Sequence, residues 1–263
     1  ISANVSTLKN KVTSLGIGKD SYISGAYATY VGQEIGQFYG WVYKGIARTQ
    51  EDLDNNAVQQ GANVGDCLYE DISGPDGTPD GVIDAYDQTV LGSGLPKVNF
   101  GLSTHLEYKG FDLNISTYGV LNYHVSDDIY NSLTSCYGYG NKEVGMLDAN
   151  RWSEDGTYLS SVPRTYAANN ATLAWNDLFS SRKIQNAAYW KIANVELGYN
   201  FPDKWFGGYV SGVRLYVSAQ NLYTFTGYHG YNVDYAGGTF TPGYNFCSFP
   251  SARTFMCGLH FTF

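Results

Sequence analysis

The final ten residues alternate without a break: Phe255, Cys257, Leu259, Phe261 and Phe263 interleave with Thr254, Met256, Gly258, His260 and Thr262. A period of two puts apolar side chains on one face of an extended strand and small or polar ones on the other. The pattern recurs upstream in segments of the ~9–11 residues that a tilted membrane-crossing strand needs. Val98, Phe100, Leu102, Thr104, Leu106 and Tyr108 oppose Asn99, Gly101, Ser103, His105 and Glu107. Lys109 and Gly110 suit a tight hairpin turn, after which Phe111, Leu113, Ile115 and Thr117 oppose Asp112, Asn114, Ser116 and Tyr118. Further on, Ala193, Val195, Leu197, Tyr199 and Phe201 form an apolar row that stops at Pro202, which has no N–H to give a ladder. A last run sets Val213, Leu215, Val217 and Ala219 against Arg214, Tyr216, Ser218 and Gln220. These runs predict an all-β fold. Alternation alone leaves open whether the apolar face meets lipid or packs on a private core, because a soluble sandwich strand has the same period.

Composition narrows the choice. Only 15% of residues are charged, against roughly 25% in ordinary soluble domains. Tyr alone contributes 24 residues and Gly 31, yet no apolar run approaches the ~18 residues of a spanning helix, which excludes helical membrane proteins. The excess of 24 Asp and Glu over 16 Lys and Arg argues against nucleic-acid binding, which needs clustered cations to neutralise phosphates. Tyr108, Phe111, Tyr189, Trp190, Tyr199, Phe201, Tyr223 and Phe225 gather near strand ends and are expected to form interfacial aromatic girdles. Short connections at 109–110 and 202–212 contrast with long polar segments at 47–95, 122–188 and 226–251, the asymmetry of an outer-membrane barrel. No basic-then-apolar leader opens the chain, so an export signal is either absent or lies in sequence beyond it. Cys67, Cys136, Cys247 and Cys257 lack zinc-ligand spacing, and any disulfide pairing stays open.

One compact ligand constellation stands out. Asp76, Thr78, Asp80, the Val82 carbonyl, Asp84 and Asp87 occupy positions 1, 3, 5, 7, 9 and 12 of a loop with Gly81 at position 6, which is EF-hand-like spacing. Calcium, or magnesium, is the expected occupant of loop 76–87. Thr78 at position 3 and the short Asp87 at position 12 weaken the match, and Asp71 and Ser73 offer alternative oxygens just upstream. The competing reading is a Gly/Pro/Asp turn with solvated carboxylates. Enzyme signals are thin: the four histidines are scattered, and no HExxH, GxSxG or P-loop pattern occurs, so no catalytic residue is assigned.

Several segments, taken in order, carry a resemblance. The stretches GQFYGWVYKGI at 36–46, GDCLYED at 65–71 continuing to DQTVLG at 87–92, and PKVNFGL at 96–102 come first. The pairs Arg151 with Trp152 and Pro163 with Arg164 follow, then AYWKIANVELGYNFP at 188–202, SAQNL at 218–222, GYHGY at 227–231 and PSARTF at 250–255. The ordered set resembles the SusC-like TonB-dependent transporters of the Bacteroidetes outer membrane, and the terminal Phe263 resembles their barrel-insertion signal. Family members are about four times longer and carry a signal peptide, TonB box and plug that this sequence lacks. The resemblance therefore implies that residues 1–263 are the carboxyl-terminal part of a 22-stranded antiparallel transmembrane β-barrel, contributing about eight strands and long extracellular loops. It also implies an importer of large oligomers, oligosaccharides ahead of peptides. The implied partners are the remaining amino-terminal part of the transporter, a SusD-like surface lipoprotein, TonB, and outer-membrane lipid including lipopolysaccharide. Within the long loops, Tyr130, Tyr137, Tyr139, Trp152, Tyr228, Tyr231 and Tyr235 are the candidate substrate contacts, since aromatic rings stack on sugar faces. The rival expectation is a soluble, calcium-stabilised carbohydrate-binding β domain using the same loops, followed by a surface glycosidase built on paired carboxylates such as Asp127 and Asp128.

Overall fold

The structure is a computed structural model; it describes residues 1–16, 18–134, 162–165, 175–206, 210–234, 237–246 and 248–263. Its backbone is a six-stranded antiparallel sheet in which each strand pairs with its neighbours in sequence. The strands are β1 (Ser2–Thr7), β2 (Val98–Tyr108), β3 (Phe111–Leu121), β4 (Tyr189–Phe201), β5 (Gly212–Thr226) and β6 (Thr254–Thr262). Among the described residues the sheet has six strands, fewer than the eight or so expected, and it stays open at β1 and β6. Lys109 and Gly110 both take positive φ, 48° and 88°, as a two-residue type I′ hairpin requires.

The register decides what each face is. Paired residues share a face, and Val5, Phe100, Gly119, Trp190 and Phe225 lie in one row across five strands. Phe111, Tyr199, Leu215 and Leu259 form another, and Leu106, Leu113, Leu197, Val217 and Cys257 a third. One face is thus apolar over all six strands, and among the described residues no element packs over it: Val217 is 50% exposed and Leu259 58%. The other face carries Asn99, His105, Asp112, Asn114, Glu196, Arg214 and Gln220. A water-soluble sheet buries its apolar face; this one presents it outward.

Aromatic rings band the outer face at both ends. Phe111, Tyr199, Phe201 and Trp205 follow one another at centroid separations of 4.6, 4.9 and 5.9 Å, and Trp190, Phe225 and Tyr223 at 5.2 and 4.7 Å. Nine residues separate Trp190 from Tyr199, which at about 3.3 Å per residue and a tilt near 40° is roughly 23 Å, the height of an outer-membrane apolar band. Tyr189 departs from the expected girdle. A bulge in β4 between Ile192 and Asn194 flips the parity, so Trp190 and Ile192 face outward while Tyr189 and Lys191 turn to the polar face. β5 answers at the same level, with Asn221 at φ 52° donating its side-chain amide to the Ala252 carbonyl and so fixing the approach to β6.

All three long connections leave the same end of the sheet, at 8–97, 122–188 and 227–253, and both short ones leave the other. The first is longer than expected because it holds a small sheet of its own: Ser21–Ser24, Tyr27–Tyr30, Gln37–Gly40 and Thr89–Ser93. The loops bury two apolar clusters, one of Cys67, Tyr69 and Ile83 with Trp41 and Trp175 against it, the other of Val120, Tyr123, Val125, Tyr189, Tyr228 and Val233.

Candidate functional site

The polar face of the wall, together with the loops above it, is where function can reside. Near its short-turn end Arg214 meets two carboxylates. Its Nε and Nη2 donate to Asp112 at 3.0 and 2.5 Å, Nη2 also reaches Glu196 at 2.7 Å, and the Asn200 amide donates to Asp112 at 3.0 Å. Asp112 is only 5% exposed, so the bidentate pair is what makes its charge tolerable there. Gly198 sits beneath: a Cβ at that position would come 2.5 Å from both Arg214 Nη2 and Asp112 Oδ2. This end of the wall is a braced, charged surface with two negative groups for one positive.

Towards the long-loop end, Lys191 Nζ pairs with Asp234 Oδ2 at 2.5 Å and lies over the Tyr118 ring at 5.8 Å. That pair ties the third loop to the wall and floors a cleft of about 320 Å³ lined by Lys191, Thr224, Tyr231, Asn232, Asp234 and Arg253. Such a volume is at the lower end for a small-molecule site. Tyr231, 63% exposed, stands at the cleft, where its ring offers a flat face for stacking.

The other proposed contacts part company. Tyr228 is 7% exposed; its hydroxyl donates to Asp127 and accepts from Asn245 Nδ2 at 2.8 Å, so it braces two loops against each other. Burial and the Asp127 carboxylate both push the Tyr228 hydroxyl well above the ordinary tyrosine range, so it stays protonated as a donor. Tyr130, on the short helix Asp128–Leu133, stacks on His229 at 5.7 Å with 16° between the rings. Tyr137, Tyr139, Trp152 and Tyr235 lie outside the described residues. Sequence reasoning passed over Lys191, Asp234 and Arg253; a lysine inside an apolar aromatic run was the available signal for the bulge that turns it inward.

The loops interlock through side chains far apart in sequence. Arg164 forks onto Asp66 at 2.6 and 2.9 Å, Asn176 donates to Asp66 at 2.8 Å, and the Cys67 N–H donates to Asn176 at 2.7 Å. Tyr69 donates its hydroxyl to the Trp175 carbonyl. His124–Asp127 pairs antiparallel with Gln185–Asn186 and parallel with Tyr244–Asn245, joining the second and third loops in one sheet. Cys67 and Cys257 are free thiols; Cys136 and Cys247 lie outside the described residues.

In the acidic loop the carboxylates hold backbone. Asp87, fully buried, accepts from Ile72 and Ser73 N–H on Oδ1 and from Asp84 N–H on Oδ2. Asp84 caps the 3₁₀ turn Ala85–Asp87 through Tyr86 N–H, Asp80 accepts from Val82 N–H, and Asp71 Oδ2 from Gly81 N–H. Among the described residues no three His, Cys, Asp or Glu side chains are gathered as a metal cluster. Three accepted N–H bonds leave Asp87 about one lone-pair site, too few for bidentate ligation at position 12. An oxygen that is free among the described residues is Asp71 Oδ1, sealed from solvent without a hydrogen-bond partner there. Asp76 and Thr78 lie on the exposed outer turn, with Val82 beside Asp80.

No family model matches the chain. It is 30% identical over 278 residues to TonB-dependent receptor P3 of Formosa agariphila, covering 99% of this chain and 26% of that protein. It is 25% identical over 226 residues to TonB-dependent receptor SusC of Bacteroides thetaiotaomicron, covering 80% of this chain and 21% of that one. Its fold superposes on a solved structure of the RagAB peptide transporter with TM-score 0.74 at 21% identity, over 98% of this chain and 26% of that chain. The chain belongs to the SusC-like TonB-dependent receptors. It spans about a quarter of the length of the relatives it matches. Within this family the six-stranded sheet is a segment of a transmembrane barrel wall, and its apolar face is the lipid face.

Proposed function

We propose that residues 1–263 supply the carboxyl-terminal part of the wall and extracellular loops of a TonB-dependent importer in a Gram-negative, Bacteroidetes-type outer membrane. The observation that carries this is the register that makes one face apolar, banded and uncovered while the other holds paired charges. Lipid cannot satisfy the backbone groups at β1 and β6, so the rest of the receptor must continue the wall, and its plug is the natural cover for the polar face. A SusD-like lipoprotein over the long-loop end and TonB at the opposite end complete the assembly.

The cargo is a large polar oligomer, oligosaccharide ahead of peptide. Tyr231, Arg253 and the Lys191–Asp234 pair around one cleft offer a stacking ring and hydroxyl-binding groups. Peptide is the second cargo, because the structural neighbour is described as a peptide transporter. Uptake by intact cells tests the proposal: deletion of the receptor and treatment with a protonophore should each abolish accumulation of a fluorescent oligosaccharide, and uptake indifferent to both would refute it. A soluble binding domain has no support in this fold, since it would need a cover for the apolar face. A divalent cation at the acidic loop 76–87 remains part of the proposal; since no three carboxylates are gathered there among the described residues, binding would have to draw Asp80 and Asp84 in beside Asp71, stiffening the first loop. Calorimetric titration of calcium into chelator-treated receptor, with an Asp71→Asn variant beside it, tests that element.

A further inference from the structure

The polar face of the wall changes character along its height. Towards the short-turn end its rows carry His105, Glu107, Asp112, Glu196 and Arg214. Six residues up β2 from Glu107, roughly 15 Å at about 3.3 Å each and a tilt near 40°, the charges on β1 to β3 have stopped. Asn4, Gly101 and Tyr118 form one row there, with Asn99 in the row above and Ser103 and Ser116 in the row below. They line a groove of about 500 Å³, inside the ~300–1,000 Å³ range of small-molecule sites, and no charged side chain is among its lining residues. Its centre lies on β2 and β3, each paired on both sides, so strands that continue the wall beyond β1 extend the sheet without covering this face.

The groove combines a ring with a gap. Lys191 Nζ lies over the Tyr118 ring at 5.8 Å and Tyr189 meets it edge-on at 6.1 Å, whereas on its opposite flank Gly101 has no side chain. A Cβ at Gly101 would come 3.0 Å from Asn4 Nδ2, so the glycine is what lets the Asn4 amide lean across from β1. The side chains of Asn4, Asn99, Ser103 and Ser116 have no hydrogen-bond partner among the described residues. Hydroxyls and amides both donate and accept, as sugar hydroxyls do, and an aromatic face suits the apolar face of a sugar ring. The groove offers no cation to a uronate or sulfate and no carboxylate to a basic peptide side chain; Lys191 beside it is already paired with Asp234. It also adjoins the cleft under the third loop. Tyr118, Lys191 and Thr224 follow one another in the same row, and the Tyr118 hydroxyl lies 3.4 Å from Asp234. Asn4 to Thr224 is four strand spacings, roughly 19 Å, which suits an extended oligomer better than a single ring.

We propose that the groove of Asn4, Asn99, Gly101, Ser103, Ser116 and Tyr118 is a subsite for an uncharged sugar ring of the cargo, stacked on Tyr118, and that one neutral oligosaccharide engages it together with the neighbouring cleft. This rests on the import reading and narrows its cargo to neutral glycans. The test titrates the full-length receptor in nanodiscs with fluorescent neutral hexo-oligosaccharides, their uronic acid counterparts and a mixed tryptic peptide digest. Wild type should bind members of the neutral set at least tenfold more tightly than either other set. Tyr118→Ala should weaken that binding about tenfold through loss of the ring, and Tyr118→Phe should leave it unchanged. Ser103→Val/Ser116→Val, which suits the strands while removing both hydroxyls, should weaken it severalfold. Heat-modifiable mobility on gels reports separately that each variant is folded. Binding of none of the neutral set, or equal binding of uronates or peptides, would overturn the proposal. So would unchanged binding by both Tyr118→Ala and the double valine variant, a result that would give the groove to the plug. Uptake that still needs the receptor and the proton gradient would leave the import reading standing if this site fails, whereas uptake that needs neither would defeat that reading itself.

Discussion

The wall and the loop assembly are built by opposite rules from one sequence. In the loops, apolar groups are inside: Phe38 is fully buried, Tyr69 and Val125 nearly so, and polar atoms there are matched across long sequence separations. In the wall, leucines and valines face out and the charges of Asp112, Glu196 and Arg214 face in. The difference shows that burial alone does not identify a core. Water organises the loops through the hydrophobic effect, whereas the wall is organised by hydrogen bonds between strands and by a surrounding solvent as apolar as its side chains.

The sharpest way to break this contrast is to remove one partner of a buried pair in the loops. Arg164→Leu leaves Asp66, 1% exposed, without its cation, and should cost about 3–5 kcal/mol of loop stability, read as proteolytic sensitivity of the loops while the barrel keeps its heat-modifiable band. Next comes Val217→Arg on the outer face. For a half-exposed residue in water such a change is near neutral, but near the middle of a bilayer it should cost about 2–4 kcal/mol, measurable by denaturant unfolding in lipid vesicles. A neutral result would put the apolar face in water. Tyr228→Phe should be milder, about 1–2 kcal/mol, because it leaves Asp127 and Asn245 without the shared hydroxyl, and hydrogen exchange around 124–127 should rise while exchange in β4 does not.

The last effect is absent at neutral pH and emerges only in alkali. Burial pushes the Cys67 thiol up from its ordinary value of 9.0 to about 11. The folded loops therefore hold the proton that the unfolded chain releases first, so this contribution is intact below pH 9 and drains away as pH rises towards 11. Cys67→Ala should flatten that loss in loop-unfolding curves between those limits, and alkylation of Cys67 in the folded receptor should lag far behind that of a peptide thiol at pH 9.

Much of the wall was legible in the sequence because period two is a local property: β2, β3, β5 and β6 follow the alternation, and Lys109 with Gly110 announces its turn. Tyr189 was misplaced because a bulge of one residue inverts every side chain beyond it, and the one local signal for it in 189–195 is Lys191 among apolar and aromatic neighbours. The loops were less legible still. Arg164 finds Asp66 and Asn245 finds Asp127 across 98 and 118 residues, pairings that depend on where the wall delivers each loop rather than on any neighbouring residue. The acidic loop shows the same limit in miniature: the spacing of its carboxylates is legible, but the main-chain N–H groups from which Asp84 and Asp87 accept are not.

The parallel alignment of Ser126 and Asp127 with Tyr244 and Asn245 has a consequence for biogenesis. That ladder closes only once the hairpin of β5 and β6 has been delivered, because its second half is carried between those two strands. Locking of the outer crown is thereby deferred to the end of insertion, and a receptor stalled before its last strand would display an unzipped ribbon where a finished one displays a seam.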